Sequence, residues 1–169
     1  TGIENELQGI DAQAETFWRS YVDGNNGVPR ALSLNMLDDA FGEMETTIGA
    51  DISMLCTTWQ VRNKYVDLLR ADRRYVEWQT IDGGFDVVMY QGKPLAVDKD
   101  CPRGTIFLLD ESVLELFVLN EFDWISDNNG QVLHWIQDYH AFEASLWYGA
   151  ELATKDRNKC GKIIDINEV

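Results

Sequence analysis

An α+β fold is what this sequence predicts, on three observations. Two helix-period apolar stripes lie between residues 33 and 71, with a short buried-strand pattern between them. Short apolar runs cut by Gly, Pro and Asp follow in the middle of the chain, written as consecutive strands joined by tight turns. The later apolar segments keep period two. With 169 residues and 45% hydrophobic content, the chain can bury one substantial core, as one domain with an appendage.

Residues 1–31 read as a lead-in: a weak amphipathic stretch around Phe17, Trp18 and Tyr21, then an exposed loop at Asp23-Gly24-Asn25-Asn26-Gly27-Val28-Pro29. Ser33 has the character of a helix N-cap. Leu34, Leu37, Phe41, Met44 and Ile48 follow at helical spacing, and Met36 and Ala40 widen the stripe. Gly42 weakens this helix by ~1 kcal/mol relative to Ala, and Gly49-Ala50 ends it. Ile52 to Cys56 is short and apolar enough for a buried strand. A second helix is expected from Thr58 to Ala71, with Val61, Tyr65, Leu68 and Leu69 inward and Arg62, Lys64 and Asp67 outward.

Three apolar pieces come next, Phe85 to Tyr90, Leu95 to Val97 and Ile106 to Leu109. Beyond them lie an apolar piece at Val113 to Leu119, a turn at Asp127-Asn128-Asn129-Gly130 expected to close a hairpin, and a strand from Val132 to Ile136. From Ala141 to Ala153, Phe142, Ala144, Leu146 and Tyr148 alternate with Glu143, Ser145 and Trp147, which reads as one long strand. The sequence contains no internal repeat and no low-complexity tract.

Several of these segments together resemble the major capsid protein of tailed bacteriophages, the Hong Kong 97-type shell subunit. The resemblance rests on Gly83-Gly84-Phe85-Asp86-Val87, on Tyr90 to Asp98 (Y-x-G-x-P-hydrophobic), and on Asp100 to Asp110 (D-x-P-x-G-x-hydrophobic-x-L-L-D). It extends to Leu32 to Ala40, Asp51 to Thr58, Val61-Arg62-Asn63-Lys64-Tyr65, Asp123-Trp124, Ala141-Phe142-Glu143-Ala144 and Arg157 to Ile166, covering about residues 30 to 166. What it implies is an axial domain, a sheet flanked by two helices, at residues 32–138, with returning strands of a peripheral domain at 139–169 and a peripheral remnant at 1–31. It also implies a structural subunit that self-assembles into pentamers and hexamers of an icosahedral shell around double-stranded DNA, made in a bacterial host cytoplasm and found in the virion. The partners implied are other copies, further capsid and portal proteins, and packaged DNA held without sequence preference. The N-terminal arm, the extended loop and most of the spine helix of that family have no counterpart before residue 30, so the sequence is expected to be a C-terminal portion. Cross-linking chemistry between subunits is not assigned to Asn158 or Glu143. An encapsulin-type compartment is the alternative with the same fold.

The net charge of −15 (pI about 4.3) argues against sequence-reading contacts to DNA or RNA. Between Arg103 and Lys155 there is no Lys or Arg, while nine carboxylates fall there. Basic residues gather at Arg62, Lys64, Arg70, Arg73 and Arg74, and again at Lys155, Arg157, Lys159 and Lys162. Such segregation suits charge-complementary contact between copies; on charge alone, a solvated acidic face is the simpler explanation. The expected inter-subunit residues are Arg62, Arg70, Arg73, Arg74, Glu121, Asp123, Trp124, Trp135 and Trp147. No apolar run approaches the roughly 20 residues of a membrane helix, the first residues are no signal peptide, and a soluble, intracellularly made protein without membrane contact is expected.

No catalytic, cofactor or metal site is expected. His134 and His140 fit no ligand spacing. Asp98, Asp100 and Asp110, or Glu121 and Asp123, could be imagined as paired catalytic carboxylates, but carboxylates that hold their own turns explain them better. Asp127 to Gly130 lacks the distal Glu of a calcium loop. Cys56, Cys101 and Cys160 are odd in number and scattered, and read as reduced thiols. Six tryptophans (Trp18, Trp59, Trp78, Trp124, Trp135, Trp147) raise one further class, a carbohydrate-binding module, which would need several indoles coplanar on one exposed face.

Overall fold

Ser33 begins the ordered core as the spacing predicts: its hydroxyl accepts from the Met36 amide, capping helix α1 (Leu34–Glu43). In the computed structural model, which describes residues 6–71, 78–81 and 85–168, α1 runs on into a wider π-type turn at Met44–Ile48. Gly49 then stops it in the left-handed conformation, φ 71°. The second helix, α2 (Trp59–Ala71), is capped by Thr58, whose hydroxyl accepts from the Val61 amide. The strands in chain order are β1 (Glu6–Leu7), β2 (Ile10–Asp11), β3 (Tyr21–Asp23), β4 (Met54–Thr57), β5 (Trp78–Ile81), β6 (Phe85–Tyr90), β7 (Lys93–Val97), β8 (Ile106–Leu109), β9 (Leu114–Trp124), β10 (His134–Ile136), β11 (Ala141–Glu143), β12 (Leu146–Thr154) and β13 (Gly161–Ile163).

Two compact units result, Thr1–Val113 with Asp156–Val169, and Leu114–Lys155. The first is built on a seven-stranded mixed sheet, ordered β3-β13-β8-β4-β7-β6-β5. Its centre is β4, paired parallel to β7 and antiparallel to β8. Leu55, Val88, Leu95, Ile106, Leu108 and Ile163 are buried there, together with Leu37, Ala40 and Met44 of the first helical segment and Val61, Tyr65 and Leu69 of α2. Tyr90 joins both helices: its ring meets Phe41 and Tyr65 edge-on, and its hydroxyl donates to the Asp38 carboxylate.

Several sequence expectations are corrected. The three middle strands are not a simple succession: β6 and β7 form a hairpin across Gln91-Gly92, both at positive φ, but β4 lies between β7 and β8. A parallel β4–β7 pair needs a crossover, and α2 together with β5 and β6 supplies it. The expected strand at 52–56 is β4 at 54–57. Around Phe17, Trp18 and Tyr21 the chain forms a 3-10 turn and then β3, which pairs parallel with β13. The long strand expected at 141–153 is two, because β11 pairs with β10 and β12 with β9. The turn at Asp127–Gly130 closes on itself through the Asp127 amide and the Gln131 carbonyl, and joins no pair of neighbouring strands. Residues 114–155 cluster together because β9 and β12 pair with each other, and 156–168 return to the first unit. Gly83 and Gly84 lie outside the described residues.

The last residues fasten the first unit. Asp165 accepts from the Asn25 and Gly27 amides, and the Arg30 amide donates to the Asp165 carbonyl. The Glu168 carboxylate accepts from the Thr58 hydroxyl and the Gly104 amide. Gly104 has φ 64°, and a Cβ placed on it would stand 2.5 Å from the Ile166 carbonyl oxygen, which is backbone and has no room to yield. Gly104→Ala is therefore expected to cost about 3 kcal/mol in urea unfolding, combining left-handed strain and a clash. Gly92→Ala, at φ 77° with open space around it, is expected to cost only about 1 kcal/mol.

Candidate functional site

The second unit is dominated by the β9–β12 hairpin, and its register decides what each face offers. Directly paired residues point to the same side of a sheet. Leu116 pairs with Leu152, Val118 with Ala150 and Trp124 with Leu146, while Phe122 stacks on Tyr148 with centroids 4.4 Å apart and planes 17° from parallel. That face is predominantly apolar, with Asn120 opposite Gly149 and Thr154 opposite Leu114 as its polar positions. On the other, Glu115 pairs with Ala153, Phe117 with Glu151 and Asp123 with Trp147, so carboxylates alternate with rings. The register shifts on both sides of Gly149. The Trp147 ring and the Leu119 Cβ lie close to where a side chain at 149 would stand. Lys155 closes the open end on Glu115 at 2.8 Å.

None of the apolar groups is covered within the unit: Leu119 is 84% exposed, Phe122 70% and Leu152 65%, with Leu116, Phe117, Trp124, Leu146 and Trp147 about half exposed. Isolated two-stranded ribbons are marginal in water, and contiguous apolar patches on both faces mark a surface that another chain segment covers. The smaller β10–β11 pair repeats the pattern: Trp135 meets Phe142 across the strands and His140 at the turn, edge-on, with Leu133 and Tyr139 exposed nearby.

Of the residues expected at subunit contacts, Glu121, Asp123, Trp124 and Trp147 fall on this hairpin, and Trp135 on the neighbouring small sheet. Arg62 and Arg70 lie on α2 in the other unit. Arg62 sits over the Trp59 ring at 4.6 Å, and Arg70 is exposed beside Asp67. Arg73 and Arg74 lie outside the described residues. Sequence reasoning missed Leu116, Phe117, Leu119, Phe122 and Leu152. The signal was present, since Leu116-Phe117-Val118-Leu119 is apolar at both parities, and a strand of that kind has two faces to cover.

Three of the carboxylates considered for chemistry, Asp98, Asp110 and Asp123, hold backbone instead. Asp98 accepts from the Asp100 amide, Asp110 from the amide and hydroxyl of Ser112, and Asp123 from the Trp124 amide. Asp127 accepts from the Asn129 and Gln131 amides, which hold its carboxyl below the usual range. Among the described residues no group of three or more His, Cys, Asp or Glu could hold a metal ion. Trp124 and Trp147 occupy opposite faces of the hairpin, Trp135 another sheet, and Trp18 is buried, so these indoles form no common sugar-stacking plane.

No family model matches the sequence, and no curated protein matches it. Solved structures do. The chain is similar to a subunit in the cyanophage A-1(L) capsid asymmetric unit, with a TM-score of 0.70 and 18% identity over 96% of this chain and 55% of that one. It is also similar to the subunit of the holo-SrpI encapsulin complex from Synechococcus elongatus PCC 7942, with a TM-score of 0.66 and 12% identity over 99% of this chain and 60% of that one. The chain thus has the Hong Kong 97-type α+β fold, and it spans a little over half the length of the solved chains it matches.

The stacked pair Phe122–Tyr148 is the one close aromatic contact across the hairpin among the described residues. Tyr148→Ala is expected to loosen β9 and β12 by about 1 kcal/mol. Hydrogen exchange of the amides between Val118 and Trp124 should quicken roughly fivefold, with Leu55 and Leu108 amides unchanged.

Proposed function

We propose that this chain is a shell-forming structural subunit, and specifically part of the major capsid protein of a tailed phage or prophage. The observation that carries the reading is the hairpin, apolar on one face and mixed apolar and acidic on the other, in a fold whose matched solved examples come from a capsid and an encapsulin. Copies would cover these faces in pentamers and hexamers, and these would close an icosahedral shell around double-stranded DNA. In this reading the first compact unit is the axial domain and the hairpin unit belongs to the peripheral domain.

Charge supports the same arrangement. The hairpin unit carries seven carboxylates and, at its last residue, one lysine. Arg62 and Arg70 on α2 supply the complementary sign for a neighbour's acidic face, with Arg73 and Arg74 continuing it in sequence. The negative surplus also keeps packaged DNA from adhering to the shell. Capsid and portal proteins are the expected further partners. An encapsulin-type shell is the second reading, supported by the second structural likeness; it would enclose protein cargo rather than DNA.

Light scattering on a sizing column, with electron microscopy of any large peak, tests the proposal. Rings of five or six copies, or shells, that loosen as salt is raised from 50 to 500 mM (roughly a threefold shorter screening length) are the expected result. A monomer at every concentration and salt would overturn self-assembly by this chain. Phe122→Ser with Leu119→Lys is expected to weaken assembly at least tenfold while leaving the thermal unfolding of the first unit in place, since each exposed apolar side chain contributes about 1–2 kcal/mol when buried.

A further inference from the structure

Two of the three thiols, far apart in sequence, meet in the fold. Cys56 lies in β4, the central strand, and Cys101 lies in the turn that leaves β7. The turn is fixed onto the strand by three bonds: the Asp98 amide donates to the Thr57 carbonyl, the Cys101 amide to the Asp98 carbonyl, and the Thr57 hydroxyl to the Thr105 carbonyl. Cys101 Sγ lies 3.8 Å from the Thr105 carbonyl oxygen. Cys56 directly precedes Thr57 on that strand, so the frame brings the Cys101 thiol to the end of β4 that carries Cys56, and both thiols are partly exposed. Cys160 stands at the other end of β8, where Gly161 pairs with Leu108.

We propose that Cys56 and Cys101 are a redox-sensitive pair that a small-molecule disulfide oxidises to an intramolecular cystine, stapling β4 to the β7–β8 turn. The reaction proceeds by exchange. One protein thiol loses its proton, and the thiolate attacks a sulfur of oxidised glutathione, expelling one glutathione thiolate and leaving a mixed disulfide. The second protein thiolate then attacks the protein-side sulfur, the cystine bond forms, and the second glutathione leaves. Two protein thiols are oxidised, and one glutathione disulfide is reduced to two thiols.

Cys56 is suited to attack first. The neighbouring Cys101 thiol favours its ionised form, whereas burial, the Cys56 side chain, and the carboxylates of Asp98 and Glu168 push the Cys101 thiol up to about 11. Burial and Asp98 raise Cys56 as well. Both groups are therefore mostly protonated at neutral pH, and the exchange gains roughly tenfold in rate per pH unit from pH 7 to 9. Such a bond closes a 45-residue loop that contains all of α2, β5, β6 and β7.

The test is incubation of the reduced protein with oxidised glutathione at pH 7, 8 and 9, followed by thiol counting under denaturing conditions and peptide mass mapping. The expected result is loss of two of three thiols, a Cys56–Cys101 cross-linked peptide, and a rate that rises with pH. The melting temperature should rise by about 5 °C or more and fall back on reduction with dithiothreitol. Cys160→Ser should behave as the native chain, and Cys101→Ser should stop at a glutathione adduct on Cys56. A cross-link through Cys160, persistent glutathione adducts on the native chain, or no thiol loss at pH 9 would each overturn the proposal.

Discussion

The insertion of β13 between β3 and β8 is the interaction on which the first unit depends. The chain leaves that unit after Val113 and returns to it at Asp156, so the sheet is complete only when residues 161–163 take their place. Gly161 makes the fit possible, since a Cβ there would stand 2.8 Å from the Met44 sulfur and 3.1 Å from the Tyr21 Cβ. Ile163 and Ile166 then fill the core. Asp165 and Glu168 tie the loop after β3, the Gly104 turn and the cap of α2 to the same short tail. A run of eight residues thereby closes contacts to four separate segments. Its effect on folding is non-local, as contacts of long sequence separation are.

That closure leaves residues 114–155 free of any part in building the sheet, and their composition shows a different physical task. The core of the first unit buries Leu37, Met44, Leu55, Ile106, Leu108 and Ile163 to a few per cent exposure, whereas the hairpin leaves Leu119, Phe122 and Leu152 mostly open. A sequence selected only for solubility as an isolated chain would place polar residues there. The first unit is stabilised by its own core, whereas the hairpin unit buries no comparable core; under the proposed function a neighbouring copy would supply the cover.

How much of this was legible follows from where local signals agree with tertiary ones. Ser33, Gly49 and Thr58 announced the helix ends because capping chemistry is local. The strands at 85–90 and 106–109 were bounded by their turns and fell where the alternation put them. Pairing was not legible: nothing local places β4 between β7 and β8, since that is decided by which edges remain once α2 has crossed over. The split of 141–153 was hidden for the same reason, because Ala144 and Ser145 carry no breaker and only the separate partners of β11 and β12 end the strands. Of the candidate site, the acidic run and the tryptophans were visible. The largely apolar face was not, because reading it requires knowing that Leu116 pairs with Leu152 and Trp124 with Leu146.

The chemical difference between the hairpin's two faces bears on the kind of assembly it can support. A two-fold dimer needs a patch that is its own complement. The acidic face bearing Glu115, Asp123 and Glu151 would meet its own charges in such a pairing, at an electrostatic cost that grows as water is excluded. The cations Arg62, half-buried over Trp59, and Arg70, exposed, lie instead on α2, in the other compact unit. A surface of one sign and a complement on a different element make a heterologous contact, in which two different patches of the chain meet. Such contacts close into rings when the rotation per copy divides a full turn and run on as filaments when it does not. Under the proposed function, this asymmetry of charge disfavours two-fold pairs, and the rotation per copy then sets the size of the ring.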